Sequence, residues 1–430
     1  MNHRLGQNDL AWEQVFESRN LLHFIEENGF AEVSAEELKV YREPRLMAKI
    51  DHANNRPAIM KKYDLTIFSV SNSRYRIGPY DLFQPLPEWK EPGREARVMK
   101  VPSDLQTLDI ENITSENAVL YSALSSGMIE DFTGESVQPT VSGRMRTGKF
   151  QFSIDNRKLG NHLVEIDRAQ VEIDAGLEGE KAFYLLEIKN HISQDFNRRQ
   201  LYFPMSLWKQ KIDKPIRTVF LTFSNDVFDF YEFWWPDARN MSSGELISQK
   251  RYVFENRKNE TFSLYEWALG EEQKKSQIIS DAPYPQADNF ERVIDLVSFL
   301  IDAPRSVDDL AEHYDFDPRQ SDYYFNAARF LGLAKYASDK QRVPTDKAIE
   351  IYKLNPKQKY MELGKILLNF ASVRRTYLRL KQESNFLNIE LVMELVKNSG
   401  EANSIGEEST LRRRSQTIAS WANWLKTNLE

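Results

Sequence analysis

Along the chain the spacing of apolar positions shifts repeatedly between helical and strand periods. Residues 8–28 place Leu10, Val15, Phe16, Leu22 and Ile25 on one stripe and predict an amphipathic helix. Ser34 and Glu37 have the spacing of a capping box, which predicts a second, short helix. After Arg42-Glu43-Pro44-Arg45 the pattern becomes that of strands over 64–70 and 74–77, separated by an Asn-Ser turn. Residues 85–102 hold four prolines and several charges and read as a linker. The next segment, 115–129, reads as a helix with Glu116 in its first turn, and Phe150-Gln151-Phe152-Ser153-Ile154 alternates as a strand. Further on, 195–211 reads as a helix interrupted by Pro204, 217–224 as a buried strand, and 228–235 as an aromatic-rich segment whose rings suit a core.

One stretch gathers unusual chemistry. In 169–174, Ala169, Val171 and Ile173 alternate with Gln170, Glu172 and Asp174; a glycine-containing turn follows, and then an apolar run from Ala182 to Ile188. This predicts a β-hairpin whose second strand is central in a sheet. With a side-chain period of two, Glu187 and Lys189 share one face, and Glu172 and Asp174 share a face of the partner strand. A carboxylate and an ammonium at the end of a buried strand need partners or a metal. The competing reading is a surface hairpin with an exposed cross-strand ion pair of small energy. The triplet Glu-x-Lys recurs at 37–39, 88–90 and 272–274, but only Glu187-Ile188-Lys189 ends a buried-type strand behind an acid on the preceding one.

Asp174, twelve intervening residues and Glu187-Ile188-Lys189 resemble the core of the PD-(D/E)XK nuclease superfamily. G-R-M-R-T-G-K-F at 143–150, Q-V-E-I-D-A-G at 170–176 and F-N-R-R-Q-L-Y-F-P at 196–204 are similar to type II restriction endonucleases of that superfamily. The resemblance covers roughly 105–255 and departs from the pattern at Ile173, where a proline often stands. It implies an α/β (α+β) core with a mixed sheet and one or two Mg²⁺ ions per site, held by Asp174, Glu187 and the Ile188 carbonyl. Lys189 would orient or deprotonate the attacking water, a role helped if its surroundings lower its pKa. Glu172 would join as a ligand, Glu116 would serve as an auxiliary acid unless it only complements a helix dipole, and Gln200 would orient Lys189 or a phosphate unless it is an ordinary exposed glutamine.

The residues 143–149 match the spacing of a phosphate-binding P-loop, but Phe150 stands where Ser or Thr is needed and a strand follows instead of a helix, so an NTPase is excluded. Arg144, Arg146 and Lys149, on what reads as a glycine-bounded turn, become candidates for DNA backbone contact, as does Arg198.

In the C-terminal part, helices over 290–301, 306 onward (Ser306 and Asp309 as its capping box) and 318–331 precede a β-wing over 333–343. That order is winged helix-turn-helix, whose third helix enters the major groove. Arg319 and Gln320 lie where base-reading residues sit, but Asp315, Asp317 and Asp322 surround them, and a wing that packs against protein fits equally. The last helix, 410–425, sets Ile418, Trp421 and Leu425 on one face and offers Arg412, Arg413, Arg414 and Gln416 to a partner. It reads as the recognition helix of a second winged-helix unit over 360–425, since Arg pairs with guanine and Gln with adenine. Pairing with Glu407 and Glu408 is the alternative.

Composition sharpens this reading without changing it. The 430 residues are 41% hydrophobic and 28% charged, as in ordinary globular proteins, and divide into an N-terminal α/β segment (1–104), a nuclease-like domain (105–270) and a winged-helix region (285–430). A net charge of −7 excludes a globally basic nucleic-acid binder but not a basic cleft. The absence of cysteine excludes disulfides, thiolate catalysis and Cys-based zinc sites, and six scattered histidines without a paired ligand motif weigh against an HNH-type nuclease. The polar N-terminus and the lack of a bilayer-spanning run predict a cytoplasmic protein without membrane association. The expected function is that of a type II restriction endonuclease, acting on double-stranded DNA as a homodimer and paired with a DNA methyltransferase on a separate protein. Rivals are a nuclease for modified DNA or repair, and a winged-helix regulator with an inactive nuclease-like domain; Asp174, Glu187 and Lys189 are all present, against the latter.

Overall fold

The computed structural model describes residues 6–87, 96–101, 105–108, 110, 113–255, 263–271, 282–314, 318–354, 356–382, 388–402, 405 and 407–429. The chain forms two compact units. The first comprises the N-terminal residues to 88 with Ser115–Phe223 and Phe228–Arg251; the second is built chiefly from Tyr252 onward.

A seven-stranded mixed sheet carries the apolar runs seen in the sequence. Its strands are β1 (Arg97–Met99), β2 (Val137–Arg146), β3 (Gln170–Gly179), β4 (Phe183–Lys189), β5 (Ile216–Ser224), β6 (Val227–Trp234) and β7 (Glu245–Phe254), in the order β1-β7-β6-β5-β4-β3-β2. β4 is an interior strand, antiparallel to β3 and parallel to β5. Six of its seven residues are buried, as its unbroken apolar pattern requires. A parallel neighbour needs a crossover, and here it consists of the short strand Asp195–Asn197 and the helix Arg199–Trp208. Rings fill the space beneath: Phe196 stacks on Phe220 at 4.5 Å, and Phe183, Phe203, Phe233 and Trp235 join the same core. The aromatics of 228–235 are core, as expected, except Trp234.

Several boundaries differ from the sequence reading. The helix expected over 8–28 breaks into Gln7–Ser18 and Leu21–Asn28 because Asn20 turns left-handed at φ 48°, a conformation Asn tolerates. Residues 115–129 likewise split at Gly127 (φ 76°) into Glu116–Ser125 and Met128–Thr133. Within the segment read as a linker, Arg97–Met99 is an edge strand parallel to β7. Residues 195–197 are a strand paired with Phe83–Pro85, so the helix starts only at Arg199 and accommodates Pro204 internally. The Ser34/Glu37 capping box forms in both directions, at 3.2 and 2.7 Å.

In the second unit, helices Phe290–Asp302, Val307–Tyr314 and Pro318–Phe330 precede a hairpin of Ala334–Tyr336 with Arg342–Pro344, in the expected order. The remainder differs. Residues 356–428 contain four helices, Pro356–Leu368, Ala371–Gln382, Ile389–Ser399 and Glu408–Asn428, and among the described residues no strand. The second winged-helix unit expected over 360–425 therefore lacks a wing there. Its apolar residues are spaced for helix-on-helix packing, and Ile418, Trp421 and Leu425 are buried in one core with Leu363, Leu367 and Tyr377. Leu264 and Ala268 belong to that core too, so this unit begins before the 270 boundary drawn from sequence. Among the described residues no helix is long and apolar enough to cross a membrane.

Phe220 is fully buried against Phe196. Phe220→Ala should cost the first unit roughly 3–5 kcal/mol through the cavity it leaves; an unchanged denaturant midpoint would contradict this packing.

Candidate active site

The backbone ladder between β3 and β4 ends at Leu186 opposite Ala175. The next residues on the two strands are Glu187 and Asp174, and here a side chain takes over: the Ile188 amide donates to Asp174 Oδ2 at 2.7 Å. Because the amide and carbonyl of a strand residue point to the same side, the Ile188 carbonyl also faces Asp174. Glu187 is 6% exposed and accepts two hydrogen bonds on Oε1, from Lys189 Nζ at 2.6 Å and from Gln200 Nε2 at 2.5 Å. Glu116, in the first turn of the Glu116–Ser125 helix, brings Oε1 to 3.6 Å from Lys189 Nζ. Four separate stretches thus converge on the end of β4.

Burial dominates the electrostatics. It pushes Glu187 up to about 8, with the Asp174 charge adding to the rise and Lys189 opposing it. Asp174 and Glu116 are also raised, first by burial, against the pull of Lys189. For Lys189, burial alone would lower the pKa, but Glu187, Glu116, Asp174 and Asp51 outweigh it and hold the group well above its ordinary value. The surrounding carboxyl groups favour the ammonium form, the opposite direction from the lowering that would help the amine act as a base. The acids outnumber it, and that surplus of hard oxygen donors suits a divalent cation such as Mg²⁺. Among the described residues no three acidic or histidine side chains are arranged to hold a metal by themselves. The available donors are the Asp174 and Glu187 carboxylates with the Ile188 carbonyl, and Mg²⁺ commonly completes such a set with water and substrate phosphate.

Asp174, Glu187, Lys189, Gln200 and Glu116 come together. Glu172 does not: it is exposed on β3 and pairs with Arg144 of the neighbouring strand β2 at 3.3 Å. Arg144 and Arg146 lie on β2 itself, not on a turn, and Lys149 begins the next strand; all three are exposed, with Lys149 3.8 Å from Asp167. Arg198 is buried to 7% exposure, its guanidinium directed to Asp81 and the Gly244 carbonyl, which removes it from any DNA-facing surface. Arg319 and Gln320 are in the first turn of Pro318–Phe330; Gln320 is partly buried, and the Arg319 side chain lies outside the described residues, as do Asp315 and Asp317. Asp322 is engaged by Arg342 at 2.7 Å. On the last helix Arg413 and Gln416 are exposed, Arg412 pairs with Glu390 at 3.1 Å, not with Glu407 or Glu408, and Arg414 is partly buried.

The sequence reading missed Asp51. It is 8% exposed and acts electrostatically on Asp174, Glu187 and Lys189. It lies in a short irregular segment with no periodicity to mark it; only the neighbouring acid-histidine pair Asp51-His52 hinted at chemistry.

Three family models match successive parts of the chain, each described as a domain of unknown function: DUF6996 over residues 9–77, DUF6997 over 78–253 and DUF7226 over 292–430. No curated protein and no solved structure matches. The second of these stretches contains the seven-stranded sheet but for the last residue of β7, and every converging residue except Asp51.

Between its ordinary value of 4.5 and about 8, Glu187 keeps a proton in the folded protein that the unfolded chain releases. Folding then binds more protons than unfolding, so stability contributed by this group falls as pH rises through that window. Thermal unfolding of the metal-free protein from about pH 5 to about pH 8.5 should show this decline, and Glu187→Gln should flatten it. Parallel curves for the two proteins would refute a protonated, buried Glu187.

Proposed function

We propose that this chain is a Mg²⁺-dependent endonuclease that hydrolyses phosphodiester bonds of double-stranded DNA, as a type II restriction enzyme does. The observation that carries the reading is the buried group at the end of β4. There Asp174 and Glu187 sit side by side, Lys189 bonds to Glu187, and Gln200 closes over the same oxygen. The resemblance of roughly 105–255 to PD-(D/E)XK restriction enzymes gives that group a chemical role, and the mixed sheet with a helix on the preceding segment is compatible with such a core.

In this reading Asp174, Glu187 and the Ile188 carbonyl would hold Mg²⁺, which when bound would supply charge neutralisation at the phosphate and a more acidic water. Lys189, protonated, offsets the charge that builds on the phosphate and orients the water by donating to it. It is an electrostatic partner, not a general base. Gln200 fixes the Glu187 carboxylate, and Glu116 restrains the Lys189 ammonium. Arg144 and Arg146, exposed on the edge strand β2, and Lys149, exposed at the start of the following strand, are the candidates for phosphate contact.

The helix-helix-helix-hairpin order of 290–344 supports a winged-helix module for DNA binding, and Arg412, Arg413 and Gln416 on the last helix add a second candidate contact. Cutting both strands calls for two such sites, hence a homodimer on a palindromic target. Protection of host DNA would fall to a methyltransferase on another chain.

Incubation with phage DNA and Mg²⁺, followed by sequencing of fragment ends, tests the activity directly. Lys189→Ala should lower cleavage by several orders of magnitude while leaving DNA binding in Ca²⁺ measurable; full activity in this variant would sink the proposal. Replacing Arg412 and Arg413 by Ala should weaken DNA binding and reduce its salt dependence, and an unchanged binding isotherm at two salt concentrations would place recognition elsewhere.

A further inference from the structure

Residues 49–53 lie against the candidate site, although they come from the stretch matched by a different family model than the one containing Glu187 and Lys189. The segment is clamped to the crossover that carries Gln200. The Ile50 carbonyl accepts from Asn197 Nδ2 at 2.9 Å, His52 Nδ1 is 3.0 Å from Asp195 Oδ1, and the Ala53 amide donates to both Asp195 oxygens at 3.3 Å. Asn197 closes the short strand leading into the Arg199–Trp208 helix, and from that helix Gln200 reaches Glu187. Asp51 is fixed between these anchors, its neighbours on both sides bonded to 195–197.

A carboxylate at 8% exposure needs positive charge nearby. Lys49 Nζ is 4.0 Å from Asp51 Oδ2, but Lys49 is itself more than half exposed, which weakens its contribution through solvent screening. The other positive charge is the Lys189 ammonium, on which Asp51 acts together with Glu187, Glu116 and Asp174. Nothing in the hydrogen bonding of 49–53 requires an acid at this position: the backbone of Ile50 and Ala53 and the His52 ring make the anchoring contacts. The charge itself is what Asp51 supplies.

We propose that Asp51 is a positioning residue of the active site, whose buried carboxylate sets the field around Lys189 and strengthens divalent-cation binding at Asp174 and Glu187. The N-terminal region is then part of the catalytic centre, and residues 9–77 and 78–253 build one site between them. This inference rests on the nuclease reading above. It assigns Asp51 an effect through charge, without direct coordination, consistent with the donor set already described.

Isothermal titration of the full-length protein with Mg²⁺, in the absence of DNA, provides the test, with Asp51→Asn, Lys49→Met and Glu187→Gln measured alongside. Asp51→Asn should weaken Mg²⁺ binding roughly tenfold, the scale on which groups behind the ligands tune metal sites, with far-UV circular dichroism unchanged. Lys49→Met, at an exposed and solvent-screened position, should change binding far less than Asp51→Asn. In cleavage assays the Mg²⁺ concentration for half-maximal rate should shift with the binding constants. If Glu187→Gln abolishes binding while Asp51→Asn binds as the wild type, Asp51 is a bystander and the nuclease reading stands. If the wild type binds no Mg²⁺, both readings fall. Should Asp51→Asn not fold, Asp51→Ser decides: weaker binding supports the proposal and unchanged binding overturns it.

Discussion

The contact between Glu187 and Lys189, buried at the end of an interior strand, is the constraint on which the first unit depends. An ammonium removed from water loses solvation that is repaid only when geometry and further hydrogen bonds are good. At 2.6 Å the geometry is good, and Gln200 supplies the further bond. Yet the surroundings are not neutral: Asp174, Glu116 and Asp51 add negative charge around a single buried ammonium. Burial raises Asp174, Glu116 and Glu187 together, and this gathering of acids around one ammonium is the feature on which the proposed cation site rests.

Topology explains how this group is assembled. β4 has an antiparallel partner on one side and a parallel one on the other. The antiparallel partner brings Asp174 opposite the end of the strand through a tight connection. The parallel partner demands a return across the sheet, and the return carries both Gln200 and the strand 195–197 that grips residues 50–53. The same crossover explains why Arg198 is unavailable to DNA. It stands at the turn into the helix, where its guanidinium ties Asp81 and Gly244 together inside the fold.

In the C-terminal unit, charge is distributed differently from its appearance in the sequence. Asp322, one of the acids that crowd the third helix, is drawn onto Arg342 of the hairpin, whose guanidinium also lies over the rings of Phe325 and Tyr336. Part of the local acidity is therefore balanced within the hairpin. Along the last helix the run Arg412-Arg413-Arg414 splits into an ion pair with Glu390, an exposed guanidinium and a partly buried one, because successive residues on a helix point about 100° apart.

Periodicity alone determined much of this protein. The alternation at 169–174 and the apolar run 182–188 specified the hairpin and its buried second strand; periodicity gathered Glu172 with Asp174, Glu187 and Lys189, and the family resemblance singled out the last three. The Ser34 cap, the buried aromatics of 228–235 and the three helices over 290–330 were legible for the same local reason. Those features are encoded within a few residues of where they act. Tertiary structure alone decided that Asp51 acts on the site, that Glu172 pairs with Arg144 at the surface, that Arg198 is internal, and that the surroundings of Lys189 favour its charged form. Each of these depends on which distant segment lies alongside and on how much water is excluded, and neither is written in the spacing of residues along one strand.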